Sequence, residues 1–156
     1  MAHPISIRSA TVGDAALVGR LLWDFNREFD SPTPDGEFFA RRFGVLLALD
    51  DVLVLLAEDA GDAVGFGYLT LRPTPYHDGP LAQLEELYVR PDLRDRGIGT
   101  ALITAALDEM RARGVGEMHI NVDEIDRDTR RFYERHGFVN ILPGEDYRML
   151  CYIREL

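Results

Sequence analysis

The chain has 156 residues, 46% of them apolar and 28% charged, and carries a formal net charge of −10. That length suits a single domain, residues 1–156, with a real core, and the acidity argues against a nucleic-acid partner, because neutralising phosphates needs a basic face. One cysteine, Cys151, excludes an internal disulfide, no cysteine–histidine spacing suggests zinc or another metal, and neither a secretion signal nor a membrane-length apolar run is visible, so a cytoplasmic protein without a membrane partner is expected.

In chain order, "ISIRSA" alternates and predicts a short first strand. Thr11 and Asp14 form a loose capping box for a helix carrying Leu17, Val18, Leu21, Leu22 and Phe25 at helical spacing. "DSPTPDG" is a loop by its prolines and glycine. A second helix follows over about residues 37–48, with Phe38, Phe39, Phe43 and Leu46. "VLVLLAED" and "AVGFGYLTLRP" flank "AGD" as an antiparallel hairpin. "AQLEELYVRP" is a third long strand, stopped by Pro91. A glycine turn leads into a helix over about residues 98–113, closed by Gly114. Then come a strand in "GEMHINVD", a helix in "DRDTRRFYERH" closed by Gly137, a strand in "FVNI" and a last strand in "DYRMLCYIREL". The order β, α, α, β, β, β, α, β, α, β, β predicts an α/β fold with a mixed, mostly antiparallel central sheet and helices on both faces.

The stretch "RPDLRDRGIGTALI" places two glycines behind arginines at a helix start. Unpaired N–H groups and the helix dipole make such a terminus an anion site. Gly97 and Gly99 let a ligand approach the backbone, and Arg94 and Arg96 add charge-assisted bonds. A Walker loop needs a lysine that is missing here, and a dinucleotide fingerprint needs a third glycine where Leu102 stands. The segment "RDRGIG", Arg94 to Gly99, instead resembles the Arg/Gln-x-x-Gly-x-Gly/Ala pyrophosphate segment of the GNAT superfamily of N-acetyltransferases. "LEELYV" is similar to that superfamily's central strand, and "RRFYERHGF" to its late helix and turn.

The resemblance implies acetyl coenzyme A as co-substrate, bound by Leu87, Tyr88, Val89, Arg94, Asp95, Arg96, Gly97, Ile98, Gly99 and Thr100. It implies Tyr133 as the acid near the coenzyme sulfur, and backbone N–H groups near Tyr88 and Val89 for the developing oxyanion. Where the family often has an asparagine, this chain has Asp126, which suits a helix cap; Asn121 is a candidate for the missing amide. Adjacent strand residues face opposite ways, which puts Glu85 on the side of Leu87 and Val89 and Glu86 on the other. Glu85 also matches the glutamate of similar polyamine and aminoglycoside acetyltransferases and is favoured as the base, directly or through water. The histidines, 3, 77, 119 and 136, are expected to form no cluster.

The segment "WDFNREFDSPTPDGEFF" is rich in carboxylates. Trp23, Glu28 and Asp30 are candidate contacts for a cationic amine, by ion pairing and cation–π attraction; the alternative is a solvated acidic loop. The expected activity is acetyl transfer to a primary amine of a small cationic molecule, such as a polyamine or aminoglycoside, by direct attack in a ternary complex. The competing readings are a protein or peptide N-acetyltransferase and a non-catalytic acetyl coenzyme A sensor. A homodimer is expected, with the last strand as its interface.

Overall fold

The structure, a computed structural model, describes residues 3–156. The chain divides into two compact units, Met1–His119 and Ile120–Leu156.

The first unit is built on a five-stranded sheet. Its strands are β1 (Ser6–Ser9), β2 (Val52–Asp59), β3 (Asp62–Arg72), β4 (Leu81–Val89) and β5 (Glu117–Ile120), side by side in that order. The pairs β1–β2, β2–β3 and β3–β4 are antiparallel. The β2–β3 hairpin turns through Ala60 and Gly61, both at positive φ, the geometry that two-residue hairpin turns demand. Three helices belong to this unit: α1 (Ala15–Asn26), α2 (Gly36–Leu46) and α3 (Ile98–Ala112). Ahead of α1, the Thr11 N–H donates to Asp14 Oδ2 at 2.8 Å, as the capping pattern predicts. Asp35 caps α2, its Oδ1 accepting from the Phe38 N–H at 2.9 Å.

One core lies between the sheet and the α1–α2 pair, where Val18, Leu21, Leu22 and Phe43 meet Val54, Leu56, Phe66 and Tyr88. The two helices approach so closely that a Cβ on Gly19 would stand 2.6 Å from the Ala40 nitrogen. Helix α3 packs on β2, β3 and β4 through buried Ile98, Leu102, Ile103, Ala106 and Met110. Gly114, at φ 75°, ends it as expected.

The second unit holds one helix, α4 (Arg127–Arg135), and no strand follows it. Here the structure corrects the sequence: neither "FVNI" nor "DYRMLCYIREL" forms a strand. Their turn is built, with Pro143 followed by Gly144 at φ 87° and the Glu145 N–H donating to Leu142 O at 3.0 Å. One rung follows, from the Met149 N–H to Asn140 O at 2.7 Å, and the ladder stops. Alternation and β propensity make a segment fit for a sheet, but an isolated two-stranded pairing is marginal in water. Residues 141–156 are all exposed.

Candidate active site

The third long strand carries the first part of the site. In the β3–β4 ladder Tyr68 faces Glu86 and Leu69 faces Leu84, so Glu85 has no partner. This is a β-bulge, one extra residue inserted on one strand. It overturns the simple alternation expected from sequence. Glu86 shares the face of its partner Tyr68. Glu85 Oε1 accepts from the Thr70 hydroxyl at 2.7 Å, and Thr70, two positions from Tyr68 on β3, lies on that face too. The bulge therefore puts both carboxylates on the side of the sheet that α1 and α2 cover.

Their electrostatics follow from that placement. Burial, and then the nearby charge of Glu85, push the Glu86 carboxyl up to about 7. Burial and the same Glu85 charge push the Tyr68 hydroxyl up as well. Glu86 thus exchanges a proton near neutral pH, the property a general base needs. Sequence reasoning missed Tyr68 and Thr70, whose only sequence signal is their shared parity on β3.

The second part is the turn from β4 into α3. A 3₁₀ turn at Pro91–Leu93 leads to Asp95 at φ 61° and Gly97 at φ 82°. The first rung of α3 runs from the Ala101 N–H to Gly97 O at 3.0 Å, so the N–H groups of Ile98 and Gly99 lie ahead of the ladder. Among the described residues, none beyond its two chain neighbours has an atom within 4 Å of the position a Gly97 Cβ would take. Asp95, Arg96, Gly97 and Thr100 are exposed, and the Ile98 side chain is buried as an anchor. The terminus is thus open and suited to a phosphate group.

The remaining candidates are placed as follows. Tyr88 is a core residue, 4% exposed, with its ring 5.0 Å from Phe25, so only its backbone is left for a ligand. Leu87 and Val89 are half-buried. The Val89 carbonyl accepts from Arg94 Nε at 2.9 Å, and Arg94 Nη2 donates to Glu28 Oε2 at 2.8 Å. Trp23 has the Arg27 guanidinium 4.1 Å from its ring centroid, while Asp30 is exposed. The acidic segment is therefore partly neutralised from within, since Asp24 also pairs with Arg27. Tyr133, Asn121 and Asp126 belong to the second unit. Tyr133 stacks edgewise with Phe132 and Phe138, Asn121 is exposed, and Asp126 caps α4 by accepting from the Thr129 N–H at 3.4 Å. His77 and His119, expected to stand apart, both approach Glu117, at 3.6 and 2.6 Å.

The bulged strand with its two carboxylates thus runs into a glycine turn at a helix N-terminus. Residues 17–138 match the Acetyltransferase (GNAT) family, and the chain belongs to that family. It is 37% identical over 94 residues to a mycothiol acetyltransferase of Thermobispora bispora, covering 60% of this chain and 32% of that protein. The chain spans about a third of the length of the mycothiol acetyltransferases it matches. It is 28% identical over 132 residues to the aminoalkylphosphonate N-acetyltransferase of Salmonella typhimurium, covering 85% of this chain and 83% of that one. A crystal structure from Arthrobacter sp. FB24, of a protein whose own assignment as an acetyltransferase is provisional, superposes with a TM-score of 0.89 at 46% identity. It covers 97% of this chain and 96% of that one.

Proposed function

We propose that this chain transfers an acetyl group from acetyl coenzyme A to a primary amine of a small cationic molecule, of the polyamine or aminoglycoside class. The observation that carries this reading is the carboxylate pair at the β4 bulge. Glu85, hydrogen-bonded by Thr70, offers a charge to hold an ammonium group. Glu86, poised near neutral pH, replaces the Glu85 expected from sequence as the proposed base that takes the proton the amine must lose before it attacks. The thioester supplies the activated acetyl group. The open terminus of α3 fits the coenzyme's pyrophosphate, with Gly97, Ile98 and Gly99 giving N–H groups and Arg96 a neighbouring charge. Backbone groups of Leu87, Tyr88 and Val89 are proposed for the pantetheine arm, and Asn121 and Asp126 for the coenzyme's remaining polar contacts. Tyr133 is the proposed acid for the departing thiolate. Trp23 and Asp30 are proposed acceptor contacts.

The family match crosses the boundary between the two units, which supports one acetyltransferase domain over residues 1–156. Among the described residues no helix is long and apolar enough to cross a membrane. A cytoplasmic homodimer that binds neither nucleic acid nor metal remains the proposed setting.

The test is coenzyme A release with a panel of polyamines, aminoglycosides, aminoalkylphosphonates and peptide amines. Turnover with a small cationic amine well above the peptides supports the reading. Preference for peptides would move it to protein acetylation, and tight coenzyme binding without turnover on any amine would make it a sensor.

A further inference from the structure

Arg94 stands in the glycine segment, where sequence reasoning puts it on pyrophosphate, yet two of its three nitrogens are committed within the protein. Nε–H donates to Val89 O, the last carbonyl of β4, at 2.9 Å, and Nη2 donates to Glu28 Oε2 at 2.8 Å. The guanidinium carbon lies 5.8 Å from the centroid of the Tyr88 ring. Nη1 and the second N–H of Nη2 remain to meet an anion.

Glu28 sits just past the end of α1, its N–H donating to Phe25 O at 3.1 Å. The Phe25 ring in turn packs 5.0 Å from Tyr88 and 5.4 Å from Phe29. The end of α1 is thus fastened to the end of β4 twice, by an apolar contact and by the Glu28–Arg94 pair. The pair joins residues 66 positions apart. Its side chains are 41% and 28% exposed, and ion pairs in such surroundings add little to stability. What it does fix is direction: a guanidinium is a rigid planar fork, and with its Nε–Nη2 edge held, the end that carries Nη1 is aimed.

We propose that Glu28 is a positioning residue for the coenzyme site. It acts through Arg94, holding the fork at the strand end so that Nη1 is presented to the pyrophosphate at the α3 terminus. By the same bond it ties the loop between α1 and α2, where acceptor contacts are expected, to the turn that holds the coenzyme. This rests on the coenzyme reading above, and it gives Glu28 a role other than direct contact with the amine.

The experiment is calorimetry with acetyl coenzyme A on the wild type, Glu28→Gln, Glu28→Asp, Arg94→Lys and the double variant Glu28→Gln/Arg94→Lys. Loss of one charge-assisted alignment should weaken binding about three- to tenfold in Glu28→Gln. Arg94→Lys should lose as much, because an ammonium is a point charge without the fork. The double variant should be no weaker than the weaker single one, since the two residues act as a unit. Glu28→Asp should recover part of the loss. A purely structural defect would harm every thioester alike. The loss of kcat/KM in Glu28→Gln should therefore be several-fold larger with acetyl coenzyme A than with acetyl-pantetheine, which lacks the pyrophosphate, and equal losses on the two thioesters would overturn the proposal. Unchanged or tighter coenzyme binding in Glu28→Gln, additive losses, or wild-type affinity in Arg94→Lys would each overturn the proposal. A wild type that binds no acetyl coenzyme A would instead fail the functional reading beneath it.

Discussion

Replacing Glu86 by glutamine preserves the side chain's shape and removes its titration. In the folded chain the carboxyl is pushed from 4.5 to about 7, first by burial and then by Glu85. The folded state therefore holds this proton more tightly than the unfolded state does. Its contribution to stability is fully present below about pH 4.5 and is lost as the pH rises through about 7. At about 1.4 kcal/mol per pH unit, the loss approaches about 3 kcal/mol, and about 1–3 kcal/mol once water reaching the partly exposed carboxylate is counted. Urea midpoints for both proteins between pH 5 and pH 9 measure it. Groups that do not interact with Glu86 titrate alike in both proteins and cancel in the difference. The expected result is that Glu86→Gln gains on the wild type by that amount as the pH rises. In parallel, the wild-type kcat/KM should climb to a plateau with an apparent pKa near 7, and that limb should vanish in the variant. A stability gap independent of pH would show that Glu86 is not strained by ionisation, and the base role would lose its physical ground.

Other substitutions test neighbouring parts of the argument. A Cβ on Gly65 would stand 2.5 Å from the Tyr88 carbonyl oxygen, so Gly65→Ala should cost about 1–3 kcal/mol by overpacking and lower the melting temperature; an unchanged melt would count against so close an approach of β3 and β4. Gly99→Val should weaken acetyl coenzyme A binding in calorimetry by crowding the α3 terminus; undiminished affinity would move the pyrophosphate elsewhere. Tyr133→Phe should lower turnover by at most about 10²–10⁴-fold, the range of general acid help, with coenzyme affinity unaltered; unchanged turnover would remove the acid role. Light scattering should find a homodimer, and a monomer at high concentration would reject it.

Most of the first unit is legible from residue patterns, and the reasons are local. The spacing of Val18, Leu21 and Leu22 gives α1 its buried stripe, Thr11 and Asp14 form the capping pattern ahead of it, and Gly114 closes α3, all within one or two turns of chain. The glycine turn is legible for the same cause, since Gly97 carries its own conformational need. The C-terminal segment shows the limit. Its turn at Pro143 and Gly144 is local and forms. Its strands need a ladder partner, which no pattern within "DYRMLCYIREL" supplies. The Glu28–Arg94 pair was equally hidden, because it depends on two segments far apart in sequence meeting in space.

The bulge is the most consequential of these hidden features. Strict alternation along "LEELYV" would put Glu85 and Glu86 on opposite faces. One residue without a partner, opposite Tyr68 and Leu69, turns them to the same face. There burial, and then the charge of Glu85, raise the proton affinity of Glu86. A fold gains no stability from two like charges brought together beside a core, and β3 and β4 could pair without the extra residue. Such a cost, kept on the strand that leads directly to an open helix terminus, is what a site for proton transfer requires. The proposed function asks one side of this strand both to hold an ammonium group and to take its proton. Glu85, held by Thr70, and Glu86, half-buried beside it, meet that need.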